Sequence, residues 1–178
     1  MKKTQRNVDM LYELGTLRNI DRTWKQFHIY DSSNVAEHSL MVQVVAILIA
    51  KMEGISDMAV IGKIALMALS HDFGESRTGD TQLVSREYVK KDDKGAITDM
   101  FEGTELKDLV LPLWEENELR ESLESKIVKD ADNLCVDLDL REMELRGMKH
   151  IETFGETRKY VYENKLYTKS AKELWEEI

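Results

Sequence analysis

Two apolar segments joined by a short break constrain this chain more than any other feature. Residues 35–50, Val35-Ala-Glu-His-Ser-Leu-Met-Val-Gln-Val-Val-Ala-Ile-Leu-Ile-Ala50, are apolar on nearly every face, and Met58-Ala-Val-Ile-Gly-Lys-Ile-Ala-Leu-Met-Ala-Leu-Ser70 repeats that character. Helices that are apolar all round belong in a core. Between them, Gly54-Ile-Ser-Asp57 offers a glycine able to take a positive φ at a helix end and an aspartate able to cap the next helix. Ser32, Ser33 or Asn34 can accept the orphan amides at the start of the first helix. The sequence therefore predicts a buried antiparallel helical hairpin.

Each arm of that hairpin carries a histidine. From His38 to the break is about 15 residues and from Asp57 to His71 is 71 − 57 = 14, so at about 1.5 Å per residue both arms run some 20 Å. Both imidazoles then return to the same end. His71-Asp72 ends the most apolar stretch of the chain, where an ionisable pair must be compensated by hydrogen bonds or by a cation. Imidazole nitrogen beside carboxylate oxygen suits Mn, Fe, Co, Ni or Zn, whereas magnesium or calcium favours an all-oxygen set.

The remainder reads as helical. Residues 8–18 place Leu11, Leu14 and Leu17 three apart, and residues 19–34 lose the period. After Asp72 come Phe73-Gly-Glu-Ser-Arg-Thr-Gly-Asp80 and a charged, aperiodic stretch through Lys94, expected to be a mobile or irregular connection. Residues 96–117 look helical with a break at Pro112. Residues 121–146 form the longest pattern, with a buried stripe of Ile127, Val128, Ala131, Leu134, Cys135 and Leu138 and with Gly147 placed to end it. Two further helices, 157–164 and 168–176, close the chain. One proline, nine glycines and 42% hydrophobic residues in a chain of 178 suit an all-α, single-domain bundle spanning 1–178.

A net charge of −9 argues against a nucleic-acid polymer or an anionic membrane as partner and leaves a small molecule as the expected substrate. Cys135 is the sole cysteine, so no intrachain disulfide forms, as in a reducing compartment. No stretch approaches about 20 uninterrupted apolar residues, and Met1-Lys-Lys-Thr-Gln-Arg is followed by no signal core. A cytoplasmic location is expected.

Further candidates surround the histidines. Lys129-Asp-Ala-Asp132 offers Asp130 and Asp132 as a further metal ligand, each about equally far from the centre of the apolar stripe, so periodicity does not choose between them. Glu75 lies four residues after His71 and projects to the same side if the helix persists another turn, where a proton-transfer group would stand. Asp80 and Arg77 follow on the connection. Arg22 and Trp24 combine a fixed cation with a planar stacking surface, a grip for a phosphate and a base. His28 and His150 have no suitably spaced partners, and Trp114 and Trp175 read as core.

Taken in order, Glu37-His38-Ser, His71-Asp72-Phe-Gly-Glu75, Gly79-Asp80 and Lys129-Asp-Ala-Asp132 resemble the H…HD…D pattern of the HD-domain metal-dependent phosphohydrolases, and within them the 5′-deoxynucleotidase branch. The resemblance runs from about Leu11 to the C-terminus and is densest between residues 34 and 80. It implies an all-α HD-domain helical bundle, commonly a homodimer, that releases phosphate from deoxyribonucleoside 5′-monophosphates. It implies His38, His71, Asp72 and Asp132 as ligands of a divalent metal ion, Glu75 and Asp80 as catalytic groups, and Arg22, Trp24 and Asp80 as contacts to the nucleotide. The chain departs from the pattern at Trp24, which does not directly follow the arginine, and at Thr81-Gln-Leu-Val-Ser85, which lacks the Pro-Thr of the bacterial enzymes. Two other readings stand beside this one: an HD phosphohydrolase for a cyclic dinucleotide, alarmone or nucleoside triphosphate, and a binding protein that keeps the metal without turnover.

Overall fold

A computed structural model describes residues 2–23, 25, 33–81, 85–149 and 154–178. Trp24, His28 and His150 lie outside the described residues. Among those described, the chain is all helix, with no strand. α1 (Lys3–Leu14) runs into a 3₁₀ turn at Gly15–Asn19; the hairpin is α2 (Val35–Met52) and α3 (Met58–Ser70); α4 (Glu75–Thr78) is a single turn. α5 (Asp93–Phe101), α6 (Lys107–Leu119), α7 (Leu123–Leu145), α8 (Gly155–Asn164) and α9 (Lys169–Glu177) follow.

The hairpin is fixed by local chemistry at each corner. Asn34 Oδ1 accepts from the Glu37 amide at 3.0 Å while Glu37 Oε2 accepts from the Asn34 amide at 3.1 Å, a reciprocal cap that places His38 in the first turn of α2. Gly54 takes φ 84°, and Asp57 Oδ1 accepts from the Ala59 amide at 2.8 Å. Gln43 Nε2 donates to the Ala65 carbonyl across the two arms at 2.9 Å.

α2 packs against both α3 and α7, and Val42, Ala46, Ile49, Ile64, Met67 and Leu134 form the centre of the main core. Each fully buried aliphatic side chain there contributes about 1.5–3 kcal/mol. A second cluster, with Met10, Ile97, Phe101 and Trp114, binds α1 to α5 and α6. By length and composition alone α2 is apolar enough to cross a membrane, with a mean hydropathy of 1.5 over 18 residues, which the search for an uninterrupted apolar run does not reveal. Here it is the core helix of the bundle.

The structure departs from the sequence expectation in four places. Leu11 is 61% exposed, and Met10 takes the core position. Arg6 sets that phase: its guanidinium donates to the carbonyls of Asp99 (2.9 Å), Glu102 (3.0 Å) and Met100 at the end of α5, turning the next helical residue on that face, Met10, inward. Pro112 lies inside α6; the break falls earlier, where Gly103 adopts φ 73°. Leu138 is exposed because that turn of α7 buries Asp137 instead, whose carboxylate accepts two 3.0 Å bonds from Arg158 Nε. Finally, α3 stops at Ser70, and His71 to Gly74 are turns before α4 begins.

Candidate functional site

The hairpin delivers both imidazoles to one end, with ring centroids 5.5 Å apart and planes tilted by 56°. His38 is 2% exposed. His71 Nδ1–H donates to the Ala68 carbonyl at 2.7 Å, which assigns the proton to Nδ1 and leaves the Nε2 lone pair for another partner. α7, packed on α2, brings Asp132 Oδ1 to 3.2 Å from His38 Nε2. Asp72 Oδ2 lies 3.1 Å from His71 Nε2 and 3.7 Å from His38 Nε2. One potential ligand atom from each of His38, His71 and Asp132 falls within 4.8 Å of the other two.

Asp130 stands elsewhere. Its carboxylate accepts from the amides of Tyr167 and Thr168, both at 2.8 Å, and from Thr168 Oγ1 at 2.7 Å, tying α7 to the start of α9.

The residues fit a cation. His38 Nε2 and His71 Nε2 are buried without a hydrogen-bond partner, a costly state for ring nitrogens that an ion would relieve. Burial works to lower the His71 pKa, but Asp72 and Asp132 outweigh it and raise it to about 9. Burial likewise opposes ionisation of Asp72, and His71 and His38 overcome it, holding that carboxyl well below its usual range. For Asp132, burial is outweighed by Lys129 and His38 in the same direction. This pocket of negative charge holds a positive one, either a proton on His71 or an ion that replaces it.

Arg22 and Asp80 stand beside the cluster. Arg22, 7% exposed, places Nη1 at 3.3 Å from Asp80 Oδ2 and 3.9 Å from Asp72 Oδ2. Burial would lower the guanidinium pKa, but Asp80, Asp72 and Asp132 raise it, so the charge persists. Gly79, at φ 72°, turns the chain after α4, and Asp80 Oδ2 accepts from the Thr23 amide at 2.9 Å. Glu75 reaches the site from the first position of α4, beyond the turns at residues 71–74. It is 6% exposed, its Oε2 has no hydrogen-bond partner, and burial followed by Asp72 and Asp80 pushes its pKa up to about 8 against Lys91 and Arg22.

Lys91 is a site residue that sequence reasoning missed. Its Nζ lies 3.3 Å from Glu75 Oε1. It sits in an aperiodic connection, where no hydrophobic period or turn signal gives a side chain a direction. Arg77, by contrast, pairs with Glu13 and Asp99 away from the cluster.

Comparison with known proteins bears on this arrangement. The HD domain family model matches residues 14–175. A 5′-deoxynucleotidase from Klebsiella pneumoniae subsp. pneumoniae is 33% identical over 141 residues, covering 72% of this chain and 69% of that protein. A conserved hypothetical protein from Pyrococcus furiosus shares the fold with a TM-score of 0.75 and 26% identity over 96% of this chain and 97% of its own. A protein from Magnetospirillum magnetotacticum, described as a predicted metal-dependent phosphohydrolase, has the same fold with a TM-score of 0.72 at 24% identity, over 98% of this chain and 94% of its own. With a family match over most of its length and a relative at this identity, the chain belongs to the HD-domain family of metal-dependent phosphohydrolases, in its 5′-deoxynucleotidase-like branch.

Proposed function

We propose that this protein hydrolyses (deoxy)ribonucleoside 5′-monophosphates to nucleoside and inorganic phosphate, using a divalent transition ion held by His38, His71, Asp72 and Asp132. The observation that carries this reading is the convergence of His38, His71 and Asp132 within 4.8 Å, with the Arg22 guanidinium 3.9 Å from Asp72. The name of the Klebsiella relative supports the substrate class.

When bound, the ion polarises a phosphoryl oxygen and lowers the pKa of a coordinated water towards about 7. Arg22 neutralises charge that grows on the phosphoryl oxygens towards the transition state, and Asp80 and Asp72 hold its guanidinium in place. Glu75, whose burial favours its protonated form, gives its proton to the nucleoside 5′ oxygen as the P–O bond breaks. Asp80 accepts from the sugar on the same side and serves as the second carboxylate for proton transfer. Trp24 is assigned to the base from sequence alone. Manganese, cobalt, iron, nickel or zinc suits the two-imidazole, two-carboxylate donor set better than magnesium does.

A homodimer completes the proposal. Leu40, Val44, Leu48 and Met52 recur every fourth residue along α2 and are 57%, 53%, 47% and 42% exposed, with Met41, Leu66 and Leu69 beside them. No charged residue interrupts α2 between His38 and Lys51. A charge-free apolar face of this kind supports burial against a second copy.

The test is phosphate release from a panel of ribo- and deoxyribonucleoside 5′-monophosphates by protein loaded with each metal. Release from the deoxy compounds supports the reading. A metal-loaded protein inert on every monophosphate overturns it.

A further inference from the structure

The cavity beside the candidate metal residues has a second chemical face. It encloses about 320 Å³, with His71, Asp72 and Asp132 on one wall and Lys91, Arg120 and Lys129 also facing it. Arg22 and Asp80 are not part of its lining. The three cations come from three separate elements: Lys91 from the connection before α5, Arg120 from the residue that ends α6, and Lys129 from α7. Three separate elements thus turn a cation towards one cavity, each with a carboxylate beside it.

Arg120 is the clearest member. Its backbone is left-handed, φ 55° and ψ 28°, and it is the one non-glycine residue with positive φ among those described. Glycine is the residue that such a helix end selects, so an arginine here keeps a guanidinium at the cavity against the backbone preference. Asn117, 1% exposed, accepts from Arg120 Nη1 and orients the head group, while Glu118 stands 3.5 Å from Nη2.

The other two cations are held loosely or conditionally. The Lys91 ammonium, 10% exposed, lies 3.3 Å from Glu75 Oε1 and 3.6 Å from Asp93 Oδ1, both longer than the roughly 2.7–2.9 Å of a close ammonium–carboxylate bond. Lys129 Nζ is 2.7 Å from Asp132 Oδ2, and an ion ligated by Asp132 would draw that carboxylate charge away from the lysine. Anion binding here is therefore conditional on the metal.

We propose that this cavity is a phosphate subsite, in which Lys91, Arg120 and Lys129 take phosphate oxygens that the metal does not and retain the inorganic phosphate after the ester bond has broken. The proposal deepens the hydrolase reading and rests on it for the source of the anion. It is separable from that reading by experiment, because inorganic phosphate binds without turnover.

The test is calorimetric titration of inorganic phosphate into protein saturated with zinc and into metal-free protein, with Arg120→Gly and Lys91→Met alongside. Zinc-loaded wild type is expected to bind phosphate and the metal-free protein not to. Each variant should bind roughly tenfold more weakly or worse, the loss typical of a charge-assisted hydrogen bond. Arg120→Gly also relieves the positive φ, so its melting temperature should hold or rise while its phosphate affinity falls, which a purely structural role for the side chain would not produce. Affinity within about twofold of wild type in both variants, or no binding to the zinc-loaded wild type, overturns the subsite. Phosphate binding lost in the variants, with no turnover of any monophosphate by wild type, would leave the subsite standing and remove the hydrolase reading. Turnover with unaltered phosphate affinity in the variants would do the reverse.

Discussion

Asp132 Oδ1 lies 3.2 Å from His38 Nε2, whereas Asp130, two residues earlier on the same helix, accepts three hydrogen bonds from Tyr167 and Thr168. One carboxylate faces the candidate metal cluster and the other holds the fold. The two roles separate by mutation. Asp132→Asn should lose metal affinity by about 10²-fold or more. Asp130→Asn should keep the ion but lose about 2–4 kcal/mol of stability, since the Tyr167 amide and the buried Thr168 donors just before α9 lose a carboxylate acceptor. Equilibrium dialysis with manganese and denaturant melts of both proteins check the pair.

Glu75 gives a pH dependence of stability whose sign is fixed. Its folded pKa of about 8 lies above its ordinary 4.5, so the native metal-free protein binds more protons than the unfolded chain between those values. The stability it confers is fully present below about pH 4.5 and is lost as pH rises through about 8. Glu75→Gln removes the need to ionise a buried carboxyl. At about pH 9 the metal-free variant should therefore be more stable than wild type, by an amount on the order of a few kcal/mol, with the difference shrinking towards about pH 5. The same variant, loaded with metal, should lose turnover because the amide has no proton to give.

Metal uptake should expel a proton. His71, raised to about 9 in the metal-free cluster, carries a proton at neutral pH, and a cation at Nε2 displaces it. Titrations of cobalt or zinc at pH 7 in buffers of different ionisation enthalpy should report close to one proton released per ion, falling towards zero above about pH 10. Release unchanged across that range would contradict the charge balance argued for the cluster.

The apolar face of α2 makes a prediction about assembly. Replacing Val44 and Leu48, both about half exposed, with glutamate should convert a dimer in light scattering to a monomer, while each chain keeps its helical circular dichroism. A wild-type protein that scatters as a monomer at all concentrations would remove the dimer from the proposal.

What the sequence made legible was set by how strongly each signal is local. Val35–Met52 and Met58–Ser70 were readable because their apolarity and the Gly54 and Asp57 signals lie within the hairpin itself. Meeting of His38 and His71 followed from equal arm lengths. Asp132 and Asp130 could not be distinguished from periodicity, because their difference lies in what approaches α7 from outside: α2 on one side and the start of α9 on the other. Met10 displaced Leu11 for a similar reason, through Arg6 gripping the end of α5, a contact made far away in sequence. Pro112 tolerates a place in α6 because Val110 and Trp114 on the same helix are buried, and packing outweighs the lost hydrogen bond. Lys91 and Arg120 had no sequence signal, since one lies in an aperiodic connection and the other's left-handed backbone is visible only in three dimensions.

The central claim is that His38, His71, Asp72 and Asp132 share one ion. Anomalous diffraction at the cobalt edge from cobalt-soaked crystals measures this directly. The account predicts one peak per chain, within coordination distance, about 2.0–2.2 Å, of His38 Nε2, His71 Nε2 and an oxygen of each aspartate. No peak at that position, or a peak whose ligands omit both histidines, would contradict it.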